Sequence, residues 1–227
     1  MQTTTKKRSR IFIIGIVIVI LCGMSIWYYV QSKHNHEIQL QQQQKIQQET
    51  AIRKKIWLND WNGSSAPNFT LQDQNGKSIS MSDFKGKAVV LQFIDPECTD
   101  ICPIVSQEVL DANKLLKDKS AQVEYIGVNV NQYHASRDDI LQYSKEHRLQ
   151  TLSNWHFVTG NTDQLQKIWK NYGIDVVPTP TGDVQHSSFI YFIDPQGKER
   201  YIANPDNSKA SIPDWATGIA YFTNKLL

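Results

Sequence analysis

The sequence predicts a mixed α/β domain carried behind one apolar N-terminal helix. Three observations predict it. A twenty-residue uncharged run stands near the start of the 227-residue chain. Short apolar, β-branched runs then alternate with helical patterns through the second half. Late in the chain a β-turn-β unit precedes a terminal helix, so the sheet must contain antiparallel as well as parallel pairs.

Residues 1–10 form a short cationic leader with Lys6, Lys7, Arg8 and Arg10. Residues 11–30 (IFIIGIVIVILCGMSIWYYV) carry no charge. At about 1.5 Å per residue they reach roughly 30 Å, the thickness of a bilayer's hydrocarbon core. Cations before the run and Trp27, Tyr28 and Tyr29 at its end predict a single-pass transmembrane anchor. Its N-terminus is cytoplasmic and all later residues lie on the extracytoplasmic side of a cell membrane. A cleaved signal would require a small-x-small site, and none follows the run. A lipidated Cys22 would require small residues before it, where Val19, Ile20 and Leu21 stand.

Residues 31–56 are Gln-rich and polar, and predict a solvated helix or flexible tether in which His34 and His36 are incidental. Residues 57–227 are then one domain of ordinary size. A net charge of +2 with scattered basic residues gives no support to nucleic-acid binding. Of three cysteines, Cys22 lies in the apolar run, leaving Cys98 and Cys102 to the domain.

Within the domain, Ala66–Met81 reads as a hairpin around Asn75-Gly76. Ala88–Ile94 is a buried strand, and Pro103 opens a helix with Ile104, Val105, Val109 and Leu110 on one face. Val123–Val130 is a strand, Ser136–His147 a helix, and Trp155–Val158 a short strand. Thr162–Tyr172 is a helix stopped by Gly173. Ser188–Ile193 is a buried strand that turns through Asp194–Gly197 into Glu199–Ala203, and a helix from Ile212 to Leu226 closes the chain. This order matches a thioredoxin-like fold, a mixed sheet flanked by helices, with an added N-terminal β-hairpin.

The chemistry is concentrated in Cys98-Thr99-Asp100-Ile101-Cys102-Pro103. A helix N-terminus stabilises a thiolate, and residues four apart share a helical face. Two Cα atoms about 6 Å apart suit a disulfide, and the same spacing lets both sulfurs reach one metal ion. As a staple such a disulfide is poor, because a five-residue loop gains only roughly 2 kcal/mol against almost 5 for a 100-residue loop.

Residues 88–116, followed by NWHFVTG, IWKNYG and HSSFIYFIDPQGKERY, resemble the Sco/SenC family over about residues 60–225. The family signature is C-x-x-x-C-P with a distant histidine. The resemblance implies a membrane-anchored copper chaperone that helps assemble the binuclear copper centre of cytochrome c oxidase. It implies Cys98 and Cys102 as a redox pair and thiol ligands, and His186 as the imidazole ligand. In thioredoxin-like proteins the loop before the strand ending in Ile193-Asp194 faces the dithiol, which also leads to His186. Two thiolates and an imidazole suit Cu(I), and the imidazole helps accommodate Cu(II). The implied partners are the oxidase subunit that carries the copper centre, an upstream copper donor and a thiol reductant. His134, His147 and His156 read as structural.

Two departures stand out: Thr99 follows the first cysteine where the family often has proline, and the stretch from Tyr172 to His186 is short and contains Pro178 and Pro180. A thiol–disulfide reductase would use the same cysteines without His186. A peroxiredoxin is matched by Thr99, Cys102 and Pro103, but it wants a proline where Asp95 stands, and an arginine near the cysteine.

Overall fold

The computed structural model describes residues 3–61, 63–99, 102–179, 184–205 and 208–227, with the side chains of 3–19 and 102–103 outside that description. The chain divides into two compact units, Met1–Thr50 and Ala51–Leu227. The first is helical, part of α1 (Thr3–Lys55), so the polar tether takes the helical alternative. Among the described residues no helix is long and apolar enough to cross a membrane. The side chains of residues 11–19, nearly half of the apolar run, lie outside those residues.

The second unit opens on the last turn of α1, and Ile52 from that turn and Ile56 just after it are buried in its core. Each such side chain contributes about 1.5–3 kcal/mol on leaving water. Gly218 makes room for them, since a Cβ there would come within 2.7 Å of Ile56 Cδ1. The polar composition of residues 31–56 concealed these two apolar positions.

The strands are β1 (Leu58–Asp60), β2 (Thr70–Asp73), β3 (Ser78–Ser80), β4 (Ala88–Ile94), β5 (Val123–Asn129), β6 (Trp155–Thr159), β7 (Val176–Pro178), β8 (Val184–His186), β9 (Ile190–Ile193) and β10 (Glu199–Ala203). Helices α2 (Cys102–Leu116), α3 (Arg137–Glu146), α4 (Thr162–Asn171) and α5 (Ile212–Leu226) lie between and after them. Eight strands form one sheet in the order β1-β10-β9-β4-β5-β6-β2-β3. β4, β5 and β6 pair in parallel, while β9, β10 and the β2–β3 hairpin pair antiparallel. β4 and β5 are buried along their whole length because helices cover both faces. One core joins Val90, Ile94 and Tyr125 to α2, α3 and α5. The other joins Leu91, Phe93 and Val128 to Leu165, Ile168 and Trp169 of α4. The expected hairpin turns at Gly76, whose φ of 79° suits glycine, with Asn75 N–H donating to Asp73 Oδ1. The elements that the sequence did not reveal are β1 at the sheet edge and the separate β7–β8 ribbon.

Candidate metal and thiol site

Ligands of open α/β sheets collect beyond the carboxyl ends of the parallel strands, and there β4 delivers the first cysteine. Asp95, buried just after β4, accepts Glu97 N–H at 3.0 Å and Asn131 Nδ2 at 3.0 Å. This carboxylate ties the exit of β4 to the segment that follows β5. Cys98 N–H then donates to Asp95 O at 3.2 Å. Cys98 is half-buried against the core and lines a cavity of about 290 Å³ with Thr99, Tyr143 and His147. Burial pulls the His147 imidazole below its usual pKa, with Glu146 opposing. Among the described residues no arginine lines this cavity.

Asp100 and Ile101 lie outside the described residues, as does the side chain of Cys102, whose backbone opens α2. Tyr143 and Ser106 share a hydrogen bond of 2.7 Å, which fastens the early turns of α2 to α3.

His186 sits at the end of β8, paired with Val176, rather than in an open loop. It is half-buried, and its Nδ1 lies 3.1 Å from Ser187 O. With the proton on Nδ1 donated to that carbonyl, Nε2 keeps its lone pair for a ligand bond. His186 lines a second small cavity with Gln92 and Val105, and Val105 is one turn along α2 from position 102. Both amide atoms of Gln92 are buried without a hydrogen-bond partner among the described residues. Cys98 and His186 thus line separate cavities.

The remaining histidines divide clearly. His156 lies between Asp73 Oδ2 at 3.3 Å and Glu124 Oε2 at 3.2 Å, and Lys87 holds the other Glu124 oxygen. Both of its ring nitrogens are engaged, so it is a structural residue. His34 and His36 are exposed on α1. His134 is different. Its Nδ1 is 3.5 Å from Glu97 Oε1, and ligand atoms of Glu97, His134 and Asp139 all lie within 4.8 Å of one another. Nothing in the amino-acid order hints at this group beyond the adjacency of Glu97 and Cys98, because two segments distant in sequence supply it.

A cysteine-bearing strand-to-helix junction at the carboxyl end of a parallel sheet core, with helices on both faces, defines a thioredoxin-like protein. The SCO1/SenC family model matches residues 61–217, and the chain belongs to that family. The SCO1 protein homolog of Bacillus subtilis (strain 168) is 29% identical over 133 residues, 57% of this chain and 68% of that one. The thiol-disulfide oxidoreductase ResA of the same organism is 28% identical over 211 residues, 92% of this chain and 93% of that one. The crystal structure of Arabidopsis thaliana ScoI with copper bound superposes with a TM-score of 0.61 at 19% identity, over 71% of this chain and 99% of that one. That likeness is one of fold.

Proposed function

We propose that this protein binds one copper ion through Cys98, Cys102 and His186 and serves in assembling the binuclear copper centre of cytochrome c oxidase. The observation that carries the reading is the His186 ring, anchored through Nδ1 with Nε2 left for a ligand, beside the helix that Cys102 opens. Soft thiolates with one borderline imidazole form a donor set suited to Cu(I) and able to hold Cu(II). Copper bound to the Arabidopsis relative accords with this set. Membership of the SCO1/SenC family supports the oxidase role.

The domain works on the extracytoplasmic side of a cell membrane. Residues 11–30 anchor it there, with the leader 1–10 in the cytoplasm, 31–56 as tether and 57–227 as the working domain. Ile20, Leu21, Ile26 and Trp27 are each more than half exposed on α1, and lipid would cover them. An anchor raises the concentration of the site near a membrane-bound oxidase subunit. Transfer would exchange Cys98, Cys102 and His186 stepwise for the ligands of the recipient.

A second reading has its own support in the ResA alignment, which spans nearly the whole chain. The dithiol would give two electrons and two protons to a target disulfide and itself become a Cys98–Cys102 disulfide. A copper centre built from cysteines must be reduced before loading, so the two activities are compatible. Oxidation removes both thiolates, which gives the test. The reduced full chain, titrated with Cu(I) against a chromophoric chelator, should take up one ion, and the oxidised chain should not. Losing a group that only orients a ligand already costs about 10–100-fold in metal affinity, so Cys98→Ala and Cys102→Ala should each lose at least about 100-fold. Equal Cu(I) binding by oxidised protein would place the metal elsewhere. In cells, deletion should lower the copper-centre oxidase. Rescue by an added thiol rather than by copper would favour the reductase reading.

A further inference from the structure

A cavity of about 740 Å³ opens at the other side of the His186 segment, with Phe189 in the wall of both spaces. Its lining is aromatic: Trp57, Trp61, Tyr172 and Tyr191 as well as Phe189. Its charged lining residues are Lys170 and an acid, Glu199, which is only 6% exposed. Glu199 reaches the cavity through a register shift. β10 slips against β9 between Glu199 and Tyr201, so that Glu199 opposes Ile193 while Tyr201 opposes Phe192. In a regular strand Glu199 and Ile202, three apart, would face opposite sides, yet both line this cavity. A β-bulge re-aims a side chain in this way.

The surroundings hold the acid rigidly. Trp61 Nε1 donates to Glu199 Oε2 at 3.0 Å. The Trp61 and Tyr191 rings meet edge to face at 6.5 Å, and Tyr191 and Tyr172 at 5.3 Å. Tyr172 donates to Pro67 O at 2.8 Å, and Tyr191 donates to Tyr172 O. Trp57 stands at the rim, 52% exposed, with a left-handed φ of 48°, a costly backbone for so bulky a residue. Among the described residues no lysine or arginine lies within ion-pair range of Glu199. Lys170 lines the cavity but stays beyond that range. Burial raises the carboxyl of Glu199, with the Trp61 bond opposing, and pushes Tyr191 up to about 12, the charge of Glu199 adding to that.

We infer that this cavity is a binding site for an alkylammonium group, held by cation–π contact with Trp57, Trp61 and Tyr191 and by the Glu199 carboxylate. Aromatic faces carry negative potential, and a desolvated cation gains up to about 2 kcal/mol from them. A buried carboxylate without a cationic partner supplies the complementary charge. An anion would be repelled, and an uncharged apolar ligand would leave the carboxylate desolvated and unpaired. The group can be a free quaternary amine or a lysine side chain of a partner. The site is separate from the copper reading and does not depend on it.

The test follows the indole N–H signal of Trp61 in the ¹⁵N-labelled full chain, assigned by its loss in Trp61→Phe. Choline should shift this signal saturably against a background of sodium chloride at equal ionic strength. The neutral isostere 3,3-dimethylbutan-1-ol should bind at least about tenfold more weakly, a difference of about 1.4 kcal/mol. Glu199→Gln, which keeps an acceptor for Trp61, should weaken choline by a similar factor. A lysine-containing peptide that competes with choline would identify a protein partner, and a peptide that does not would leave the free amine as ligand. Choline acting no better than sodium, or the isostere binding as tightly as choline, would overturn the assignment whether or not the variant folds.

Discussion

The two ends of the parallel strands treat their polar side chains in opposite ways. At the amino ends of β5 and β6, Lys87, Glu124, His156 and Asp73 satisfy one another in a closed chain of contacts. Toward the carboxyl ends, Cys98 faces a cavity, Gln92 in β4 is buried with its amide unmet among the described residues, and His186 is anchored through Nδ1. A satisfied buried network rigidifies a fold, whereas an unmet group beside a cavity is available to something bound there. A histidine's partners, rather than its burial, therefore set His156, with both ring nitrogens engaged, apart from His186. His156 and His186 are both half-buried.

The largest stability effect is expected on α2, which runs inward from the thiol end. Burial pushes the Glu108 carboxyl up to about 8. The folded state therefore holds a proton that the unfolded chain releases near pH 4.5. The stability present below that pH is lost as pH climbs to about 8, at about 1.4 kcal/mol for each pH step of one. Glu108→Gln should flatten this fall, so that in urea melts at pH 9 the variant is the more stable protein by about 3–5 kcal/mol. Parallel pH curves for the two proteins would contradict the assignment.

His156→Ala should come next. It leaves Asp73 and Glu124 as buried carboxylates without their imidazole, and breaking such a pair costs about 3 kcal/mol. Thermal melts should show the loss while Cu(I) affinity stays within about twofold of the parent, since even groups that merely orient a metal ligand cost about tenfold when removed. The smallest effect is expected at Asp95→Asn. Two hydrogen bonds to a carboxylate become bonds to an amide, at about 1 kcal/mol, and the melting point should fall by about 2–4 °C. A larger drop in Cu(I) affinity than in stability would show that Asp95 positions Cys98.

Much of this arrangement could be read from the amino-acid order. The apolar runs at Ala88–Ile94 and Val123–Val130, the Asn75-Gly76 turn and the helix starts at Ser136 and Thr162 are local signals, and each element stands within a few residues of its expected bounds. Ser136 and Asn161 each cap a helix through a reciprocal pair with Asp139 and Gln164. The junction between the strand Ala88–Ile94 and the helix that opens at Cys102 was legible because its signals are local. What could not be read is set by distant segments: the burial of Ile56 under Gly218, the meeting of Glu97, His134 and Asp139, and the bulge that turns Glu199 inward. The β7–β8 ribbon was hidden for another reason. Its strands are three residues long, and proline ends the first.

One matched pair of measurements addresses the contrast between the strand ends most directly. Cu(I) affinity of the reduced full chain should be compared for His186→Ala and His156→Ala under the same competing chelator. Loss of a ligand at position 186 is expected to weaken binding by at least about 100-fold, with melting behaviour close to the parent. The position-156 variant is expected to do the reverse, less stable but binding as before. Unchanged affinity in His186→Ala would remove the imidazole from the site and leave a plain dithiol at the head of α2.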